Sequence, residues 1–264
     1  MCVFRIKYLA YNIMALKCIV GRLGGKSKSK KIIVDDYFPE GYETMLYVEP
    51  FVGGGSIFFY KNPSVKEVVN DLDINIYNIF RGAKICSQEE VAKAIEGDYT
   101  KEDFNAIRDS LPPNDILGIF CRTYFLISRS IMCKGRDAMT NRKMFMNINL
   151  KGYRERLENV DIYNVDYKEL ITEYDSDETF FYLDPPYENS KGLYKNDVVA
   201  IEDMYDMLKN IKGKFLLSYN NSDKARELFK EYNIHGIVTK YSATTFAHNR
   251  NKNTNVVELL ICNY

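Results

Sequence analysis

The apolar run at 179–183 is closed by Asp184-Pro185-Pro186-Tyr187: a carboxylate, two rings that fix φ and carry no N–H, and an aromatic side chain. A residue before proline is held extended, so this turn presents the Asp184 carboxylate and the proline carbonyls with few competing donors. Such an acceptor array suits a group with two N–H donors, an exocyclic amine. If Asp184 takes one N–H and the Pro185 carbonyl the other, the nitrogen is drawn toward a tetrahedral shape and its lone pair is freed to meet an electrophile. Tyr187 can stack on the ring that bears the amine, a contact worth ~1–3 kcal/mol. Read as local structure alone, the same residues are a strand-ending turn.

A second stretch, LYVEPFVGGGSIFFY at 46–60, sets an apolar strand before Gly53-Gly54-Gly55 and an apolar helical run after it. Glycines in that place let backbone approach a nucleotide at the carboxyl edge of a sheet. Asp71 follows Gly53 by eighteen residues, at the end of the next strand pattern, where a carboxylate can accept from ribose hydroxyls. Phe58 occupies the place of the third glycine of a dinucleotide loop, which disfavours a nicotinamide oxidoreductase and favours a nucleoside-type cofactor without pyrophosphate. Alone, the loop is equally a tight strand-to-helix turn.

The elements that must position these residues alternate. Strand patterns at 44–50, 65–70, 160–165, 179–184, 214–219, 234–240 and 256–264 are separated mostly by helical patterns, among them 74–84, 197–211 and 222–232. Alternation of this kind predicts an α/β fold with a mainly parallel sheet and crossover helices. Residues 82–158 are the exception. Helical patterns near 88–96, 101–110 and 114–129 precede a basic, Met-rich segment without strand periodicity, so this block reads as an insertion packed against the main domain. Residues 1–14 fit no element and read as a peripheral extension, with Met14 an alternative start.

Composition narrows the partners. The chain has 264 residues, 46% of them hydrophobic, enough for a buried core, and no run of about 18 apolar residues, which argues against a membrane span and for a cytoplasmic protein. Six cysteines without a C-x-x-C pair and two histidines, His235 and His248, predict neither a zinc cluster nor a disulfide framework, and no metal. The net charge is zero but unevenly spread. Residues 120–156 carry nine basic side chains, including Arg122, Arg129, Lys134, Arg136 and Arg142, against Asp137 and Glu155 alone. Residues 22–31 and 240–252 are also basic without an acid. Three such segments on one face would form a footprint for a phosphate backbone.

VEPFVGGGS followed about 130 residues later by DPPY resembles the Dam family of DNA adenine N6-methyltransferases, the D12 class, which use S-adenosylmethionine. GRLGGKSK resembles the family's N-terminal lysine motif, NDLDINIYN its acidic motif, YNVDYKEL the segment that meets the cofactor adenine, FLLSYNNSD its next strand and turn, and VVELLICNY its last strand. The resemblance implies a Rossmann-like methyltransferase sheet, mostly parallel with an antiparallel C-terminal strand. Residues 15–81 and 159–264 would form the catalytic domain, and 82–158 an inserted, mainly helical target-recognition subdomain. It further implies that Lys26, Phe51, Gly53 and Gly55 line the cofactor pocket, that Asp71 binds the ribose or methionyl end, and that Asp166 binds the cofactor adenine. Asp184, Pro185, Pro186 and Tyr187 would take the target base, with Asp184 also bordering the cofactor. Arg122, Arg129, Lys134, Arg136, Asn141 and Arg142 would meet double-stranded DNA, and the protein would be a monomer or weak dimer. Two features depart from the family: Arg22 stands where an aromatic often precedes the glycines, and the Asn-Gly-Leu hairpin tip of a GATC reader is absent. Cytosine N4 or RNA adenine as target, or a non-catalytic DNA-binding module, are the alternatives.

Overall fold

In the computed structural model, which describes residues 16–22, 24–138, 144–145, 148–187, 198–240 and 255–264, the seven apolar runs pair into one sheet. The strands are β1 (Leu46–Glu49), β2 (Lys66–Asn70), β3 (Asp98–Tyr99), β4 (Met144–Phe145), β5 (Val160–Tyr163), β6 (Thr179–Leu183), β7 (Lys214–Asn220), β8 (Asn233–Lys240) and β9 (Asn255–Cys262). The large sheet runs β5-β2-β1-β6-β7-β9-β8, while β3 and β4 form a separate ribbon. Pairs from β5 through β7 are parallel, and β9 alone runs against both its neighbours. The helices among the described residues are α1 (Lys30–Tyr37), α2 (Ile74–Ile85), α3 (Gln88–Ile95), α4 (Lys101–Asp109), α5 (Ile116–Arg129), α6 (Lys151–Leu157), α7 (Tyr167–Tyr174), α8 (Ile201–Leu208) and α9 (Asp223–Leu228).

Why the central strands read as unbroken apolar runs is plain from their neighbours, since a parallel sheet covered on both faces has no polar side. Tyr47, Val69, Phe180, Tyr182, Leu216 and Leu260 enter one core, with Ile33 of α1, Phe80 of α2 and Phe120 of α5. The residues next to them in sequence, Val48, Val68, Phe181, Leu183, Leu217 and Ile261, enter the other, with Leu170 of α7, Met204 of α8 and Ala225 of α9. The two-residue period of the strands therefore divides the molecule into three layers.

Residues 82–158 share the first of these cores. Capping boxes start α3 (Ser87 with Glu90) and α4 (Thr100 with Asp103), satisfying otherwise orphaned N–H groups. Gly82 lets α5 come close to α2: a Cβ there would stand 2.4 Å from the Phe120 ring. The tie to the sheet is a buried charge triad. Glu67 on β2 meets Lys61 Nζ at 2.5 Å and Arg156 Nη2 at 2.8 Å, Arg156 also donates to the Phe58 carbonyl, and the Lys61 ammonium stands 3.9 Å from the Tyr47 ring centre.

Three predicted helices are shorter than their patterns, and the one expected over 222–232 is only Asp223–Leu228. After the glycine loop the chain makes only one turn, closed by Phe59 N–H to Gly55 O at 2.9 Å and Lys61 N–H to Ile57 O at 3.0 Å. β-branched and aromatic residues lose rotamer freedom in a helix, and Pro63 prevents its continuation. In the pattern at 197–211, helix begins only at Ile201, because Val199 instead donates its N–H to the Pro186 carbonyl at 3.1 Å. The basic segment 241–252, the N-terminal residues 1–14, Asn141 and Arg142 lie outside the described residues.

Candidate active site

From β1 the chain moves outward to β2 and β5 on one side, and to β6 and β7 on the other. The carboxyl ends of β1 and β6 thus flank the point where strand order reverses, and crevices in such sheets open there. The glycine loop follows β1 and the Asp184 turn follows β6, so two motifs about 130 residues apart come to border one cavity of about 690 Å³. Its other walls come from Asp71, from Asp166 at the start of α7, from the turn around Lys26, and from Lys134 and Arg136 beyond the end of α5.

Local hydrogen bonds hold these loops in place. Asn70 donates to the carbonyls of Pro50 and Val165 and accepts from Val165 N–H, joining the ends of three elements. Asn164 donates to the carbonyls of Asp71 and Leu72. The Asp71 carboxylate accepts from Gly53 N–H at 2.8 Å and Asp73 N–H at 2.9 Å. Burial pushes its carboxyl up to about 6, against Arg22 and those two N–H groups. Gly53 has φ +51° and a Cβ built on it meets nothing within 4 Å, so the cavity floor here is bare backbone. Gly54 is needed for another reason, since its Cβ would lie 2.2 Å from the Val20 carbonyl, where the preceding chain docks.

The Asp184 end is strongly charged. Lys26 Nζ lies 2.6 Å from Asp184 Oδ1 and 3.0 Å from Glu258 Oε1. Burial alone would lower the Lys26 ammonium, but the two carboxylates more than offset it and hold it above the ordinary lysine range. Burial raises the Asp184 carboxyl, opposed by Lys26 and reinforced by Glu258. Tyr187 is packed beside Tyr219 with its hydroxyl turned inward: Lys26 donates to it at 3.1 Å, and it is hydrogen-bonded to Glu258. Burial, then the nearby carboxylates, raises that phenol well above its usual value.

The structure brings Lys26, Phe51, Gly53, Asp71, Asp166, Asp184, Pro185, Pro186 and Tyr187 to one cavity. Gly55 stands just behind it with φ +75°. Asp166 is also the N-cap of α7, accepting from Lys168 N–H at 2.8 Å, and it lies at the exposed rim. Lys134 and Arg136 reach the wall, whereas Arg122 does not. Its guanidinium donates to the carbonyls of Ile107, Arg108 and Ser110, capping the end of α4. Sequence reading also missed Glu258, Ser218's contact with Tyr187 at 3.3 Å, and Glu49, whose carboxyl burial pushes up to about 8 beside Tyr47. All three lie within motifs of the family resemblance, Glu49 in VEPFVGGGS, Ser218 in FLLSYNNSD and Glu258 in VVELLICNY, but a single acid or hydroxyl within an apolar strand gives no signal of its own.

The sheet is Rossmann-like, its last strand running against its neighbours, with a glycine loop and an acidic turn at its switch point. The family model of the D12 class N6 adenine-specific DNA methyltransferases matches residues 23–120 and 128–243, and the chain belongs to that family. The type II methyltransferase M.MjaIII of Methanocaldococcus jannaschii is 25% identical over 95% of this chain and 100% of its own length. M1.LlaDCHI of Lactococcus lactis subsp. cremoris, also a type II methyltransferase, is 27% identical over 86% of this chain and 88% of its own. M.CviBI of Paramecium bursaria Chlorella virus NC1A, a third, is 24% identical over 94% and 100%. Methyltransferases of the D12 class use S-adenosylmethionine. The bare Gly53 floor beside a buried carboxylate fits a nucleoside brought against backbone.

Among the described residues, five cysteines are free and no group of three or more His, Cys, Asp or Glu could hold a metal. No helix there is long and apolar enough to cross a membrane.

Proposed function

We propose that this chain methylates the N6 amine of an adenine flipped out of double-stranded DNA. The observation that carries the reading is the shared cavity: the Asp184 carboxylate and the glycine loop face the same space. When bound, S-adenosylmethionine supplies an electrophilic methyl group on a sulfonium. Phe51, Gly53 and Gly55 shape its pocket, Asp71 accepts from its hydroxyls, Asp166 takes its adenine amine, and Lys26 borders it beside Asp184. Asp184 and the Pro185 carbonyl accept the two N–H groups of the target amine, and Tyr187 fixes the base. Positioning of this kind can lower a barrier by roughly 7–11 kcal/mol, against a few kcal/mol for extruding the base.

The deciding experiment incubates duplex DNA with the purified protein and donor, digests it and identifies the methylated nucleoside. N6-methyladenine supports the reading; N4-methylcytosine, or no product, rejects it. Sequencing the product then shows whether the site is GATC or another.

Asp71 makes cofactor binding depend on pH. Its folded carboxyl is raised from 3.8 to about 6, so the native state holds this proton more tightly than the unfolded chain. Its contribution to stability therefore declines as pH rises through that window. Accepting from hydroxyls needs the ionised form, so donor affinity should fall as pH drops below about 6. Calorimetric titration across pH 5–8 checks this, with Asp71→Asn expected to flatten the profile.

Lys134 and Arg136 are assigned to the DNA face, together with Arg129. Lys134→Ala and Arg136→Ala should each weaken DNA binding and reduce the slope of log K against log salt by about 1. An unchanged slope in both variants would remove them from that face.

A further inference from the structure

One ammonium serves two carboxylates in this site. Asp184 has 19% of its side chain exposed, while Lys26 and Glu258 have only 6% and 9%. Glu258 Oε1, which faces Lys26 at 3.0 Å, is also the oxygen hydrogen-bonded to the Tyr187 hydroxyl. An Asp184 oxygen that accepts an N–H from an incoming amine loosens its hold on Lys26, and a buried ammonium without a partner is costly. Lys26 therefore needs a counterion that does not move.

We propose that Glu258 is a positioning residue for methyl transfer, keeping Lys26 charged and the Tyr187 ring fixed while Asp184 turns its carboxylate to the substrate amine. The proposal rests on the N6-amine reading above. A purely structural role explains less. β9 is already paired along its length, Asn220 of β7 opposing Glu258 on one side and Ile237 of β8 on the other, so the strand needs no carboxylate to stay in register. A buried acid in such a strand is a stability cost that the arrangement at Lys26 and Tyr187 offsets.

Glu258→Gln tests this with little change of shape, keeping an acceptor for Tyr187 but removing the charge from Lys26. Losing a charge-assisted hydrogen bond predicts a kcat lower by about 10–100-fold, with KM for DNA and calorimetric donor affinity nearly unchanged. The pH profile adds a readout that packing would not move. Asp184 is faced by Lys26 from the N-terminal turn, Glu258 from β9, Tyr187 of its own turn, Tyr182 of β6 and Glu49 of β1. Of these Glu258 helps hold the Asp184 carboxyl up, so the acid limb of kcat should move to lower pH in Glu258→Gln. If Glu258→Gln loses its cooperative melt, Glu258→Asp carries the test, since it keeps the charge but draws it back from Lys26 and the Tyr187 hydroxyl; its kcat should fall with donor affinity retained. An active wild type beside a variant of unchanged kcat overturns this inference alone, as does a reduced kcat with the acid limb in place. A wild type that forms no N6-methyladenine sinks both this inference and the proposed function.

Discussion

Asp184→Ala is expected to reduce methyl incorporation into DNA by about 10³-fold or more, while the protein keeps its fold. The magnitude follows from what one preorganised polar group contributes in a closed site, about 10²–10³ on removal, to which loss of the amine's orientation is added. Retention of the fold follows from the neighbours. Removing the Asp184 carboxylate leaves Lys26 with Glu258 at 3.0 Å, so no buried cation is stranded. It also relieves the mutual repulsion of two acids over one ammonium, so the thermal midpoint should hold or rise. Labelled methyl incorporation, read beside a melting curve, checks both halves. Activity within tenfold of the wild type would remove Asp184 from the reaction.

The largest stability effect should come from outside the cavity, at Glu67. This acid is the single anion between Lys61 and Arg156, all three buried, and Glu67→Ala leaves two cations facing each other. Breaking a buried pair by removing one partner costs about 3–5 kcal/mol, roughly 6–20 °C in the melting midpoint for a chain of this size. Burial already pushes the Lys61 ammonium down to about 8. Without Glu67 it sheds its proton, whereas the Arg156 guanidinium cannot. Exchanging all three for apolar residues of similar volume should cost far less, because no charge is then left unpaired. Thermal melts of the single and triple variants separate these outcomes, and equal midpoints for Glu67→Ala and wild type would show that the triad is dispensable.

Much of this protein is legible before folding. The seven strands of the large sheet stand out because burial on both faces demands unbroken apolar runs such as TFFYL and KFLLSY. Alternation with helices then leaves few topologies, and a topology with a switch point puts the ends of β1 and β6 at one crevice. Gly53 and Asp184 were joined in one site by the resemblance of their two motifs, in that order, to the methyltransferase family, and the switch point is the physical reason they meet. Asp71 was legible too, from its place after the second strand.

Other features depend on distances that a linear reading does not contain. Glu258 looks like one acid in the run VVELLICNY; only the antiparallel entry of β9 between β7 and β8 brings it to Lys26 and Tyr187. Arg122 sits in a basic stretch that suggested DNA, and the approach of α5 to the end of α4 sets its guanidinium on backbone carbonyls. The helix expected after the glycines shrinks to one turn, because Lys61 is drawn to Glu67 and Pro63 forbids another. Apolar periodicity and turn chemistry are local, so the sequence determined the layers, the order of elements and the two reactive motifs. Partners of a buried charge are chosen by packing over long separations, so the tertiary structure alone decided which acid faces which cation, and through that the electrostatics of the site.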